Sequence, residues 1–189
     1  MTEEALTPTE GPGSTGAPTT APGAGTLLRL LRDGRPRTRS ELASVTGLAR
    51  STVTQRVDAL LASGLIGPAG EAASTGGRPP TTFSFRPGAR VVLAADLGAT
   101  HARMALTDMS GTVLAEERAD LDIALGPEPV LDWVVDRGRG LLGDARRTTD
   151  ELLGLGIGLP GPVQHSTGRA VNPPIMPGWD DFDVPGYVH

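Results

Sequence analysis

The hydrophobic pattern along this 189-residue chain changes character three times. Residues 1–25 have almost no pattern: Thr, Pro, Gly, Ala and Ser dominate, and Leu6 is the one large aliphatic side chain after Met1. A segment so poor in apolar surface cannot offset its ordering entropy and is predicted to be a disordered tail. Apolar residues then recur at helical spacing in three short stretches. The first, Thr26 to Arg32, sets Leu27, Leu28, Leu30 and Leu31 toward a core and stops at Asp33-Gly34. The second carries Leu42 and Val45 inward and ends at Gly47. The third runs from near Ala49 to Ser63, with Val53, Val57, Leu60 and Leu61 in one stripe and Gly64 as its stop. From Leu65 onward the period falls toward that of strands, and only residues 127–150 return to a helical repeat, with Val130, Val134 and Leu141 inward.

The polar residues between these stretches say how the elements begin and what they expose. Thr38-Arg39-Ser40-Glu41 reads as a capping box at the start of the second helix. Two short helices joined by a tight Gly turn describe a helix-turn-helix. With Val53 and Val57 facing the core, Ser51, Thr52, Gln55 and Asp58 point outward, flanked by Arg50 and Arg56. Short polar side chains suit base edges in a major groove, and the arginines suit phosphates. The same pattern is also that of an ordinary three-helix core with a solvated face. Leu65-Ile66 and Thr81–Phe85 read as the two strands of a wing, with Phe83 and Phe85 on one face. Their connection contains Gly76-Gly77-Arg78-Pro79-Pro80, an extended low-profile stretch whose Arg78 suits a narrow minor groove or a plain surface loop equally.

Beyond residue 90 the chain reads as a buried strand, Val91–Ala95, entering Asp96-Leu97-Gly98-Ala99-Thr100, then a hairpin formed by Ala102–Asp108 and a strand from Thr112. Such a strand–turn–strand suits nucleotide phosphates: Gly98 permits close approach, Thr100 offers a hydroxyl, and Asp96 can hold Mg²⁺ through water. A later strand, Leu153–Leu159, runs into Pro160-Gly161-Pro162 and is too rich in glycine for a plain core strand. The loop Val171–Trp179 sets Asn172 and Trp179 either against a sugar or as a surface loop with the indole half-buried.

Composition narrows the chemistry. All 17 basic residues are Arg, there is no Lys and no Cys, and His101, His165 and His189 are far apart. A P-loop, a Schiff base, a thiolate zinc site and an HExxH hydrolase are therefore excluded. The net charge of −5 hides an asymmetry: residues 25–90 sum to +6 and residues 91–189 to −8. A basic block beside an acidic one points to two modules with different partners, the first of them nucleic acid. No apolar run is long enough to span a bilayer and no signal peptide is present, so the expectation is cytoplasmic.

Taken together, Arg39-Ser40-Glu41-Leu42-Ala43, Gly47–Val53, Ala62-Ser63-Gly64-Leu65, Gly76-Gly77-Arg78-Pro79, Asp96–Thr100 and Gly156-Ile157-Gly158-Leu159-Pro160-Gly161-Pro162 resemble the ROK family of repressors, open reading frames and sugar kinases. The resemblance implies an α/β, multi-domain fold. A winged helix-turn-helix (26–88) follows the tail and precedes the first part of an actin-like, ribonuclease-H-like sugar-kinase domain (89–189). It implies a sequence-specific, sugar-responsive regulator, a repressor, that binds double-stranded DNA as a homodimer or higher oligomer. DNA contacts would fall on Arg50, Ser51, Thr52, Gln55, Arg56 and Arg78, phosphate-like contacts on Asp96, Gly98 and Thr100, and sugar-like contacts on Gly161 and Asn172. The family's catalytic Asp, sugar ligands and Cys/His zinc cluster lie beyond His189 in its kinases. The expectation is thus a C-terminally truncated chain with no catalytic residue, no cofactor and no metal. The alternatives are an ATP-dependent sugar kinase with an accessory helix-turn-helix, and a DNA-binding module without ligand control.

Overall fold

The computed structural model describes residues 23–72 and 79–189. The chain divides into two compact units, Met1–Ser84 and Phe85–His189.

The first unit is built from three helices, α1 (Ala24–Leu31), α2 (Arg39–Thr46) and α3 (Arg50–Ala62), and three short strands, β1 (Arg37–Thr38), β2 (Ile66–Glu71) and β3 (Thr81–Phe85). Helix α1 begins two residues earlier than its sequence pattern suggests, because Ala24 is fully buried in one stripe with Leu27 and Leu31. The predicted tail is shortened accordingly at its C-terminal end; its residues 1–22 lie outside the described part of the chain. Leu28 and Leu30 are only half-buried, as a single i, i+3, i+7 stripe requires.

The capping box at the start of α2 is complete. The Glu41 amide donates to the Thr38 hydroxyl at 3.2 Å, and the Thr38 amide donates to the Glu41 carboxylate at 2.7 Å. Gly47 closes the helix in the left-handed region, at φ 68°, where a Cβ would be strained. Leu42 is buried as expected, but Val45 is 60% exposed. A two-turn helix needs only one narrow stripe, and Val45 falls on its edge, with no element among the described residues covering it.

The sheet order is β1-β3-β2, with β1 antiparallel to β3 in the register Arg37↔Phe83 and Thr38↔Thr82. Two-residue β1 is invisible to an alternation test, and β2 extends through residues the sequence pattern leaves in a loop. Phe83 is buried and Phe85 half-buried.

The second unit is a four-stranded sheet, order β6-β5-β4-β7, made of β4 (Val91–Leu97), β5 (His101–Asp108), β6 (Val113–Asp120) and β7 (Leu152–Gly158). Only the β4–β7 pair is parallel, and α4 (Pro127–Asp144) makes the crossover between β6 and β7. Alternation along β4 sends Val91, Leu93, Ala95 and Leu97 into the core with α4, while Ala94 and Asp96 lie on the opposite, exposed face. Helix α4 ends at Asp144, short of the predicted 150, and an unforeseen second capping box, Thr148 with Glu151, opens a 3₁₀ turn before β7. A short hairpin, β8 (Val163–Gln164) with β9 (Arg169–Ala170), and a C-terminal turn of helix, α5 (Val184–Val188), complete the unit. Trp179 is fully buried, and its indole N–H donates to the Ile123 carbonyl at 3.1 Å. This corrects the half-buried reading: the indole is a core anchor and cannot stack on a ligand. No helix among the described residues is long and apolar enough to cross a membrane.

Candidate nucleic-acid interface

Helix α3 buries Val53, Val57 and Leu60 and turns its opposite face outward. Arg50, Ser51 and Gln55 are exposed as anticipated. Thr52 and Arg56, four residues apart on one flank, are only half-buried. The Arg56 guanidinium occupies the space a Cβ on Gly23 would take, just ahead of α1. Thr54, which the helical wheel did not single out, is exposed on the opposite flank with Asp58. The wheel fixes the direction of the core but not which flank another helix covers; here the Arg56 flank meets the start of α1. The exposed surface is thus Arg50, Ser51, Thr54, Gln55 and Asp58. Arg78 lies outside the described residues.

Electrostatics favour an anionic partner at the start of α3. Its N-cap, Ala49, has no side chain to accept from the first-turn N–H groups, and no acid sits in that turn. Those donors and the positive end of the helix dipole suit a phosphate oxygen. Three acids of the unit, Asp33, Glu41 and Asp58, are held close by partners. Asp33 pairs with Arg37 at 2.6 Å, and this hydrogen-bonded guanidinium holds its carboxyl far below the usual range. Asp58 pairs with Arg39 at 2.7 Å.

The second unit gathers its candidate residues by register. Asp96 at the end of β4 lies beside Gly158 at the end of β7, so the two turns that follow leave the same end of the parallel pair. The carboxyl ends of parallel strands are where α/β sheets usually place ligands. Gly161 packs against Pro173 and Met176, and the Val171 amide donates to the Pro162 carbonyl at 2.9 Å, which brings Gly161 and the Asn172 loop together. Asn172 is exposed, in the left-handed region at φ 43°, with its amide donating to Asp180 at 2.7 Å. At the first turn the His101 imidazole fills the space above Gly98, and the Gly98 amide donates to the His101 carbonyl at 2.8 Å. In this arrangement Gly98 is not open to a phosphate, although Asp96 and Thr100 remain exposed. A polar cleft of about 540 Å³ beside them is lined by Asp96, His101, Arg103, Arg118 and Asp120. Among the described residues no three His, Asp or Glu side chains converge as a metal site.

The profile of the ROK family matches residues 92–188. The chain belongs to the ROK family. A profile described as winged helix-turn-helix DNA-binding matches residues 26–66, so this ROK chain couples that module to the family domain. It is similar to the xylose repressor of Bacillus spizizenii, 27% identical over 162 residues, covering 86% of this chain and 41% of the relative. It is also similar to the xylose repressor of Caldicellulosiruptor bescii, 26% identical, covering 86% of this chain and 43% of the relative. The chain therefore spans about two-fifths of the length of these curated relatives. In fold it resembles the crystal structure of a ROK family transcriptional regulator, a homologue of the E. coli MLC protein. That match has a TM-score of 0.70 at 20% identity and covers 87% of this chain and 41% of the other.

Proposed function

We propose that this ROK chain is a sequence-specific DNA-binding regulator, a repressor, whose α3 lies in the major groove of an operator half-site. The observation that carries this reading is the exposed face of α3. Ser51, Thr54 and Gln55 are of base-reading length, Arg50 stands beside them, and the uncapped first turn sits at the phosphate-facing end. The basic balance of residues 25–90 supplies the long-range attraction. Arg56 assists at the edge of the face once it swings from Gly23. Two copies would read half-sites about one helical turn apart.

The second unit is read as the start of the sugar-responsive part, with Gly161 and Asn172 toward a small sugar and Asp96 and Thr100 in a phosphate-type turn. The relatives' designation as xylose repressors makes xylose the first sugar to test. The same designation supports regulation over phosphoryl transfer; sugar-dependent ATP consumption by this chain would overturn that preference. Sugar can shift DNA affinity only through unequal affinity for the bound and free states.

The deciding experiment is selection of duplexes from a randomised pool by the full chain, followed by binding at rising salt. Enrichment of one motif, with affinity falling steeply as salt rises, is expected. No enrichment, or binding indifferent to salt, refutes the reading.

A further inference from the structure

Arg39 is the first residue of α2, yet its side chain does not serve α2. Its guanidinium donates to Asp58 on α3 at 2.7 Å, 19 residues along the chain, and lies over the Phe83 ring of β3 at 4.6 Å from the centroid. Its Nε is buried with no hydrogen-bond partner among the described residues, and the guanidinium rests on the aromatic face. One planar cation thus joins the second helix, the third helix and the strand that follows the wing loop.

We propose that Arg39 is a positioning residue for sequence discrimination, holding the exposed face of α3 at one angle to the wing sheet. The inference rests on the DNA-binding reading above. Asp58 lies one turn along α3 from Thr54 and Gln55, on the exposed side. Left unpaired, its carboxylate would repel the phosphates that the same surface must approach; tied to Arg39, it is neutralised and turned toward α2. The pair is well exposed, at 38% and 58% of the two side chains, so it adds little to stability. Its value is geometric. A planar guanidinium donates to the carboxylate from its edge while its flat face lies on the ring; an ammonium has no flat face to stack. Reading base edges demands placement to a fraction of an ångström, and a tie between the reading helix and the wing supplies it.

The test is a double-mutant cycle in the full chain with Arg39→Met, Asp58→Asn and both together. The probes are a duplex carrying the motif selected by the wild-type chain and a scrambled duplex of equal length. Each single change is expected to lower the selected-to-scrambled affinity ratio about fivefold, and the double change no more than the worse single one. Arg39→Lys, which keeps the ion pair, is expected to recover part of the ratio, and thermal midpoints to stay close to wild type. Losses that simply multiply overturn the proposal. So does an equal weakening on both duplexes with a salt slope reduced by about one, which would make Arg39 a phosphate ligand. If Arg39→Met does not fold, Asp58→Asn decides alone: an unchanged ratio overturns the tie. A wild-type chain that selects no motif removes the DNA reading itself, and that result is separate from any behaviour of the variants.

Discussion

The two candidate surfaces of this chain are assembled in opposite ways. The face of α3 is contiguous: Arg50, Ser51, Thr54 and Gln55 lie within six residues, and a helix sets them side by side. The turns of the second unit come from residues 96–100, 158–162 and 171–180, and only the parallel pairing of β4 with β7 and the anchoring of Trp179 bring them to one region. The first surface therefore depends on local helix formation and the second on long-range packing. Substitutions should damage them by different routes and amounts.

The largest expected effect is on the second surface. Trp179→Ala empties a fully buried site and leaves the Ile123 carbonyl with only its Gly126 amide donor, and is expected to cost about 3–5 kcal/mol in denaturant unfolding. A cost under about 1 kcal/mol would mean that the turns stand without their anchor, and the contrast would fail.

On the first surface the expected effects are smaller and chemically selective. Gln55→Ala should cost about 1–3 kcal/mol on the selected duplex and little on a scrambled one. Arg50→Ala should weaken binding to all sequences and lower the salt slope by about one. Equal loss on every duplex for Gln55→Ala would turn the reading face into a phosphate-tracking one.

Thr38→Ala removes one half of the capping box and should cost about 1 kcal/mol by thermal or denaturant unfolding. A loss rivalling that of Trp179→Ala would erase the difference between local and long-range dependence.

The smallest effect is in acid. The Thr38 amide, and then the Thr38 hydroxyl, hold the Glu41 carboxyl below its ordinary value of 4.5. Because the folded value is the lower one, the stabilisation is complete above the unfolded value. It disappears as pH falls through the folded one. Unfolding of Glu41→Gln compared with wild type from about pH 6 down to about pH 3 should show a gap that closes in acid. A gap that widens instead would reverse the sign of the linkage.

Much of the first unit was legible because its signals are short-range. The capping box, the Gly47 stop and the stripe Val53, Val57, Leu60 and Leu61, of which only Leu61 is half-buried rather than buried, are set within a few turns of helix, where sequence spacing and spatial spacing are nearly the same thing. What escaped was decided by neighbours. Val45 stays exposed because none of the described residues packs on it, Thr52 and Arg56 lie on the flank that meets the start of α1, and Thr54 takes the open side. Strand β1 could not be read from two residues. In the second unit β4 to β7 and α4 were legible by period, but β8, β9 and α5 were too short to show one. The fate of Trp179 was not legible either, since an indole in a Pro- and Gly-rich loop carries no period to say which way it points.

By itself, the sequence determined that the chain is basic then acidic, that three short helices with glycine stops precede a strand-rich region, and which side of α3 faces its own core. Periodicity, capping chemistry and charge are properties of neighbours along the chain, so they survive without coordinates. Only the tertiary structure decided that Arg39 reaches Asp58 and Phe83, that His101 covers Gly98, and that the turns after β4 and β7 meet at one end of the sheet. Those contacts join residues as far apart as Asp96 and Gly158, 62 positions along the chain. Pairing register and packing set them, and no local pattern along the chain encodes either.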